Sequence, residues 1–200
     1  MKVYLINMKI ALYLGSFNPF HIGHIEVIKT ALCDFNMDKV IIVPTMQNPW
    51  KEDKPIPLSY RCEIIARSAV ATMIPKPNGY FTDGVSRLSN WISINKIEEK
   101  LIPPYYSYAT LHALKTQYCN DEIYVLCGED TIEKIPDWMH GGKIIEDYDF
   151  LVVDRPANAI SSTQVREILR TRNKMDAYYS DAKLANYVSP NVINLLKKYY

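Results

Sequence analysis

Apolar and polar positions along this chain follow two patterns that alternate with each other. Short apolar runs of strand length recur at Lys9-Ile-Ala-Leu-Tyr-Leu14, Lys39-Val-Ile-Ile-Val-Pro44, Glu122-Ile-Tyr-Val-Leu-Cys127 and Asp149-Phe-Leu-Val-Val153. Their β-branched residues and charged, proline or glycine borders predict buried strands. Between them the apolar positions take helical spacing. Ile25, Ile28, Ala31 and Leu32 follow the first run. Ile64, Ile65, Ser68, Ala69 and Thr72 trace a helix capped at Ser59 and running to about Met73, and Leu111, Leu114 and Tyr118 trace one capped at Ser107. The stretch Asp181–Tyr200 reads as a helical tail, with Ser189 capping, Pro190 at the first helical position, and Val192, Leu195, Leu196 and Tyr199 packing inward. Strands alternating with helices predict an α/β chain with a doubly wound parallel sheet, whose ligands bind at the C-terminal strand ends.

The 200 residues fit one domain, with 181–200 packed on it as a tail. Ile74–Pro104 is the least legible stretch: Tyr80-Phe-Thr82 is a strand candidate, whereas Trp91, Ile94 and Leu101 fit a helix or irregular structure equally well.

Composition narrows the class. Hydrophobic residues at 48% and charged residues at 22% are ordinary for a globular protein. A formal net charge of +1 argues against a broad nucleic-acid surface. No apolar run approaches the ~20 residues that span a bilayer, so no membrane role is expected. Cys33, Cys62, Cys119 and Cys127 have no framework spacing and read as reduced thiols of a cytoplasmic protein. The start lacks a cleavage site, and Met8 is an alternative start that leaves Met1–Asn7 as a short extension.

Candidate chemistry centres on Leu14-Gly-Ser-Phe-Asn-Pro-Phe-His-Ile-Gly-His24, which joins the first strand to the first helix. Gly15 permits a positive φ and a close approach of ligand to main chain. His24 falls in the first helical turn, where free N–H groups and the helix dipole favour an anion. Together, His21, His24 and those N–H groups make a candidate phosphate site; a plain strand-to-helix turn is the alternative. Zinc is disfavoured because His112 and His140 lie far off and no cysteine pair has ligand spacing.

A second candidate is Ile160-Ser-Ser-Thr-Gln-Val-Arg166. Ser161 and Gln164 have capping-box spacing, so a helix begins here with Ser162, Thr163 and its first N–H groups turned to a phosphate and Arg166 close by.

Gly15-Ser-Phe-Asn-Pro-Phe-His-Ile-Gly-His24 resembles the HxGH signature of the nucleotidyltransferases, in the form used by nicotinate- and nicotinamide-nucleotide adenylyltransferases. Many bacterial members carry Asp where this chain has Asn18. Ile160-Ser-Ser-Thr163 with Arg166 resembles the Ile-Ser-Ser-Thr-x-x-Arg motif of the same superfamily. Further likenesses cover most of the chain. Asn48-Pro-Trp-Lys51 is similar to a loop whose lysine reaches substrate phosphate. Tyr106, Ser107, Thr110 and Leu111 match the helix entrance beside the pyridine nucleotide. Gly128-Glu-Asp130 is similar to the family's Gly-Ala-Asp, where the carboxylate binds ribose hydroxyls or a neighbouring group, and Trp138 matches the indole that covers the nicotinate ring. Asp154-Arg-Pro156 is similar to Arg-Pro-Gly. Only Ala157–Ala159 separates it from the second motif, where members usually carry another strand.

The resemblance implies transfer of AMP from ATP to the 5′-phosphate of nicotinate mononucleotide, with Mg²⁺ arriving on ATP and no dedicated metal ligands. It assigns His21, His24 and Arg166 to catalysis. Gly15, Ser16, Phe17, Gly23, Arg155, Ile160, Ser161, Ser162 and Thr163 fall to ATP. Asn18, Lys51, Tyr106, Ser107, Gly128, Asp130 and Trp138 fall to the mononucleotide. For Lys51 a solvated loop cation is the alternative, and for Trp138 a core indole. Other acceptors (nicotinamide mononucleotide, phosphopantetheine) and a nucleotide-binding regulator without turnover are the competing functions. Homo-oligomer formation stays open.

Overall fold

The computed structural model describes residues 7–47, 54–70, 91–154, 160–171 and 177–200. Each strand run forms a strand: β1 (Lys9–Gly15), β2 (Lys39–Pro44), β4 (Glu122–Gly128) and β5 (Asp149–Val153). A fifth, β3 (Ile92–Ile94), comes from the stretch the sequence left ambiguous and pairs along one edge with β2. All pairings are parallel and the order is β3-β2-β1-β4-β5.

The helices are α1 (Ile22–Cys33), α2 (Leu58–Val70), α3 (Ser107–Gln117), the single turn α4 (Glu129–Ile132), α5 (Gly141–Asp147), α6 (Ser162–Thr171), α7 (Ala177–Ala185) and α8 (Ile193–Tyr199). Three boundaries differ from expectation. Tyr106, not Ser107, occupies the N-cap of α3. At α2, Ser59 lies inside the first turn, where the N–H groups of Tyr60 and Arg61 reach back to the Pro57 carbonyl. The tail is not one helix: α7 ends at Ala185, and Ser189 caps a 3-10 turn over Pro190–Val192 that leads into α8. At α2 and α3 a proline or an extended residue sets the start before the hydroxyl residue does, whereas Ser189 keeps its expected cap but on a short 3-10 turn.

Alternate residues of the central strands feed two cores, as the period of 2 requires. Ala11 and Tyr13 of β1 join Val40 and Ile42 of β2 in one core with α1, α2, α6, α7 and α8. Ile10, Leu12, Ile41 and Val43 join the other, with Leu111 and Leu114 of α3 and Ile144 of α5. The sheet is therefore covered on both faces, which explains why its strands read as continuous apolar runs.

The strand order reverses between β1 and β4, and there the ladder opens. β1 pairs with β4 only as far as Leu12↔Val125. On its other side β1 stays paired with β2 through Gly15↔Pro44, and β4 stays paired with β5 through Gly128↔Val153. The two halves of the sheet thus part over the last residues of β1 and β4. Both glycine-terminated strands deliver their following loops to this crevice, the ligand position of open α/β sheets.

Candidate active site at the sheet switch point

The first motif leaves β1 at Gly15 and enters α1 at Ile22, with His21 as the N-cap in extended conformation. The positive φ expected at Gly15 belongs instead to Phe17, at 45°. That turn folds the Phe17 ring back over Gly15, where an added Cβ would stand 3.0 Å from the ring. Gly15 is therefore required by a close aromatic contact rather than by its own φ. Gly23 serves His21 in the same way: a Cβ there would stand 3.1 Å from the His21 ring and 3.5 Å from Ile160 of the second motif.

His21 and His24 are both buried, at 2% and 9% exposure, so they are not the half-exposed side chains of an ordinary turn. Their ring centroids lie 3.7 Å apart, and His24 also stacks on Phe20 at 5.1 Å and meets the Phe17 ring edge-on at 5.0 Å. The main-chain N–H of His21 donates to Nδ1 of His24 at 3.1 Å. A nitrogen that accepts carries no proton, so the neutral His24 ring holds its proton on Nε2 and offers a donor there. The helix start thus fixes the tautomer suited to an anionic oxygen.

The second motif is clamped onto the first. The expected capping box is present: Ser161 N–H donates to Gln164 Oε1 at 2.8 Å, and Gln164 N–H to Ser161 Oγ at 3.3 Å. Ser162 Oγ donates to the Pro19 carbonyl at 2.9 Å. Arg166 donates through Nη1 to the Asn18 carbonyl at 2.6 Å and through Nη2 to Thr163 Oγ1 at 3.0 Å. Ile160 and Ser162 are half-buried, and Ser161 and Thr163 exposed.

Two buried ionisable side chains that sequence reasoning missed tie this loop to the exit of β2 and to α3. Arg61 of α2, 1% exposed, donates to the carbonyls of Ser16 at 2.7 Å, Thr45 at 2.7 Å and Ile56 at 2.9 Å. Burial lowers its pKa, while Cys62, Tyr200 and Glu98 pull it back up. Glu98, also 1% exposed, accepts from Met46 N–H at 2.5 Å and from the Thr110 hydroxyl of α3 at 2.8 Å. Burial raises its pKa against those two hydrogen bonds and the Arg61 charge. Arg61 left a trace in the sequence, as the lone charge on the face of Ile64, Ile65 and Ser68. Glu98 lies in the illegible stretch and left none.

On the far side of the crevice, Gly128 ends β4 buried and caps α4, which leaves Asp130 exposed. Trp138 is half-buried, closing a 3-10 turn at Ile135–Asp137 and packing against the second core. Its loop meets the start of α3 through His140 and Tyr108, with ring centroids 5.2 Å apart. Tyr106 and Ser107 are half-buried at that same helix start. The fold thus joins the first motif to the second, and the Trp138 loop to the α3 entrance. Lys51, Arg155 and the 157–159 connection lie outside the described residues, and so does the strand expected at 80–82. Among the described residues no group of three or more His, Cys, Asp or Glu side chains is placed to hold a metal ion. None of the described helices is long and apolar enough to cross a membrane.

Comparison with known proteins gives the same picture. Residues 12–168 match the family described as cytidylyltransferase-like. A protein of Aliarcobacter butzleri named as a probable nicotinate-nucleotide adenylyltransferase is 32% identical over 148 residues, covering 74% of this chain and 72% of its own. One of the same name from Endomicrobium trichonymphae is 24% identical over 210 residues, covering 92% and 97% of the two chains. The fold is also that of the Plasmodium falciparum nicotinic acid mononucleotide adenylyltransferase complexed with NaAD, with a TM-score of 0.67 at 17% identity and 94% of each chain covered. With both motifs docked at the switch point of this sheet, the chain belongs to the nicotinate-nucleotide adenylyltransferases of the cytidylyltransferase-like family.

Proposed function

We propose that this protein transfers the adenylyl group of ATP to the 5′-phosphate of nicotinate mononucleotide, giving deamido-NAD and pyrophosphate. The observation that carries the reading is the clamp of Ser162 and Arg166 on the carbonyls of Pro19 and Asn18. It brings two imidazoles, a guanidinium and two helix starts to one edge of the sheet, a collection suited to a polyphosphate.

The chemistry needs no enzyme nucleophile. An oxygen of the acceptor phosphate, already ionised at neutral pH, bonds to the α-phosphorus of ATP while the bond to the bridging oxygen breaks and pyrophosphate leaves. The protein's part is alignment and neutralisation of charge. In this reading His21 and His24 serve the α-phosphate, and Arg166 with the start of α6 serves the departing pyrophosphate. Gly15, Ser16, Phe17 and Gly23 line the ATP path, and the family resemblance assigns Arg155 to ATP as well. Lys51 meets the acceptor phosphate, Asp130 after Gly128 meets a ribose, and Trp138 covers the pyridine ring beside Tyr106 and Ser107. Mg²⁺ enters as the MgATP substrate, bound chiefly by phosphate oxygens. A cytosolic location belongs to the same reading, in keeping with four free cysteines.

The test is pyrophosphate release with MgATP and a panel of nicotinate mononucleotide, nicotinamide mononucleotide and phosphopantetheine. The acid should win in kcat/KM over the amide by about tenfold or more, because the N–H groups at the α3 start favour a carboxylate. A ratio at or below one overturns the acceptor assignment. Nucleotide binding without release from any acceptor overturns the enzyme reading in favour of a regulator.

A further inference from the structure

We propose that Tyr200 is a positioning residue for the same reaction, locking the side-chain amide of Asn18 so that its Nδ2 is presented as a hydrogen-bond donor to an acceptor oxygen of the bound nucleotide. The proposal rests on the adenylyl-transfer reading above and adds to it a residue 182 positions from the motif it serves.

Asn18 accepts three hydrogen bonds on its two oxygens. Its main-chain carbonyl accepts from Arg166 at 2.6 Å. Its side-chain Oδ1 accepts from the Ile56 N–H at 3.3 Å and from the Tyr200 hydroxyl. The Ile56 N–H can only donate, so the amide must turn its oxygen, not its nitrogen, toward that side. Two donors then occupy the two lone pairs of Oδ1. Among the described residues Nδ2 has no acceptor, although the side chain is half-buried in the motif loop. An amide NH₂ in a protein normally finds a partner. Nδ2 is not among the buried polar atoms that lack a partner, so it faces solvent, and a bound group that replaces that solvent must accept.

Tyr200 is built to hold that orientation. Its N–H is bonded to the Leu196 carbonyl of α8 at 3.0 Å, and its ring packs against the first core. The neighbouring Tyr199 stacks on Tyr60 of α2 with centroids 3.8 Å apart, which fixes the end of α8 beside the motif. Burial pushes the Tyr200 phenol up in pKa, against the pull of Arg166 and Arg61. It therefore keeps its proton at neutral pH and remains a donor to Oδ1. In Asn18 one side accepts from the protein and the other donates outward; the Ile56 N–H decides which is which, and the Tyr200 hydroxyl, donating to the same Oδ1, holds that orientation.

The experiment is a double-mutant cycle in the full chain with Tyr200→Phe, Asn18→Ala and the pair, read as kcat and KM for both substrates beside thermal unfolding. Tyr200→Phe keeps the ring and removes the hydroxyl, so the unfolding midpoint should move little while kcat/KM falls about tenfold. Once Asn18 is Ala, adding Tyr200→Phe should cost less than twofold more, because the two act through one hydrogen bond. Asn18→Asp, which exchanges the outward donor for an acceptor, should lose more than Asn18→Ala. Equal losses from Tyr200→Phe in both backgrounds, or unchanged kcat/KM in the single variant, overturn the proposal. If the unsubstituted chain shows no turnover, the reaction assignment fails, and the same cycle read by calorimetry as affinity for nicotinate mononucleotide, the ligand assigned to Asn18, and for MgATP still decides the role of Tyr200. Additive losses of affinity, or none, overturn it there.

Discussion

The guanidinium of Arg166 donates to the main-chain carbonyl of Asn18 at 2.6 Å, across 148 positions of sequence. With Ser162 on the neighbouring carbonyl of Pro19, it makes the two motifs one structural unit. A loop that binds phosphates cannot pay its ordering entropy from its own few contacts, so it is held by the helix start opposite. The planar fork of arginine also has donors beyond those given to Asn18 and Thr163, enough for a phosphate as well.

The accepting Nδ1 of His24 separates its two roles. His24→Asn retains an atom that can accept from the His21 N–H but removes the donor at Nε2. Adenylyl transfer should fall by at least about a hundredfold in kcat, the scale for loss of one preorganised donor. His24→Ala should lose as much activity and also about 1–2 kcal/mol of stability, from the lost cap and the gap beside Phe20. Kinetics paired with urea unfolding check both. Near-parental turnover by folded His24→Asn rules out a phosphate role.

Glu98 carries a pH signature. Its folded-state pKa is raised by burial, so the folded chain holds this proton more tightly than the unfolded chain does. That contribution is fully present below the ordinary glutamate value of about 4.3 and is lost as pH rises through the raised one. Glu98→Gln lacks this dependence. The stability of the parent relative to the variant should therefore decline with rising pH across that window and level off above it. Unfolding free energies of both proteins over a pH series decide the matter; a difference that does not change with pH contradicts it.

Trp138 is half-buried, so its removal should register in two ways. Trp138→Ala should raise KM for the mononucleotide about tenfold, with KM for ATP within about twofold, as loss of a stacked ring requires. Trp138→Phe should recover most of that. Equal effects on the two substrates, together with a collapse of the unfolding midpoint, would mark a core indole instead.

Much of this protein is written locally. The continuous apolar runs of β1 and β2, the apolar spacing of α1 and the Ser161–Gln164 capping box concern residues a few positions apart, and the chain shows them without help from the rest of the fold. Both motifs are legible for the same reason: a glycine, two histidines or a run of hydroxyls before a helix acts through neighbouring backbone. What the sequence could not display is everything set by distant partners. β3 is three residues long and exists because β2 offers it an edge. The positive φ lies at Phe17 rather than Gly15 because the ring has a core to enter. Arg61 is buried because the carbonyls of Ser16, Thr45 and Ile56 converge around it, and Tyr200 reaches Asn18 because α8 ends beside the motif. Such contacts join residues that no period relates, and burying a charge becomes tolerable only after the fold has collected enough backbone dipoles to replace water.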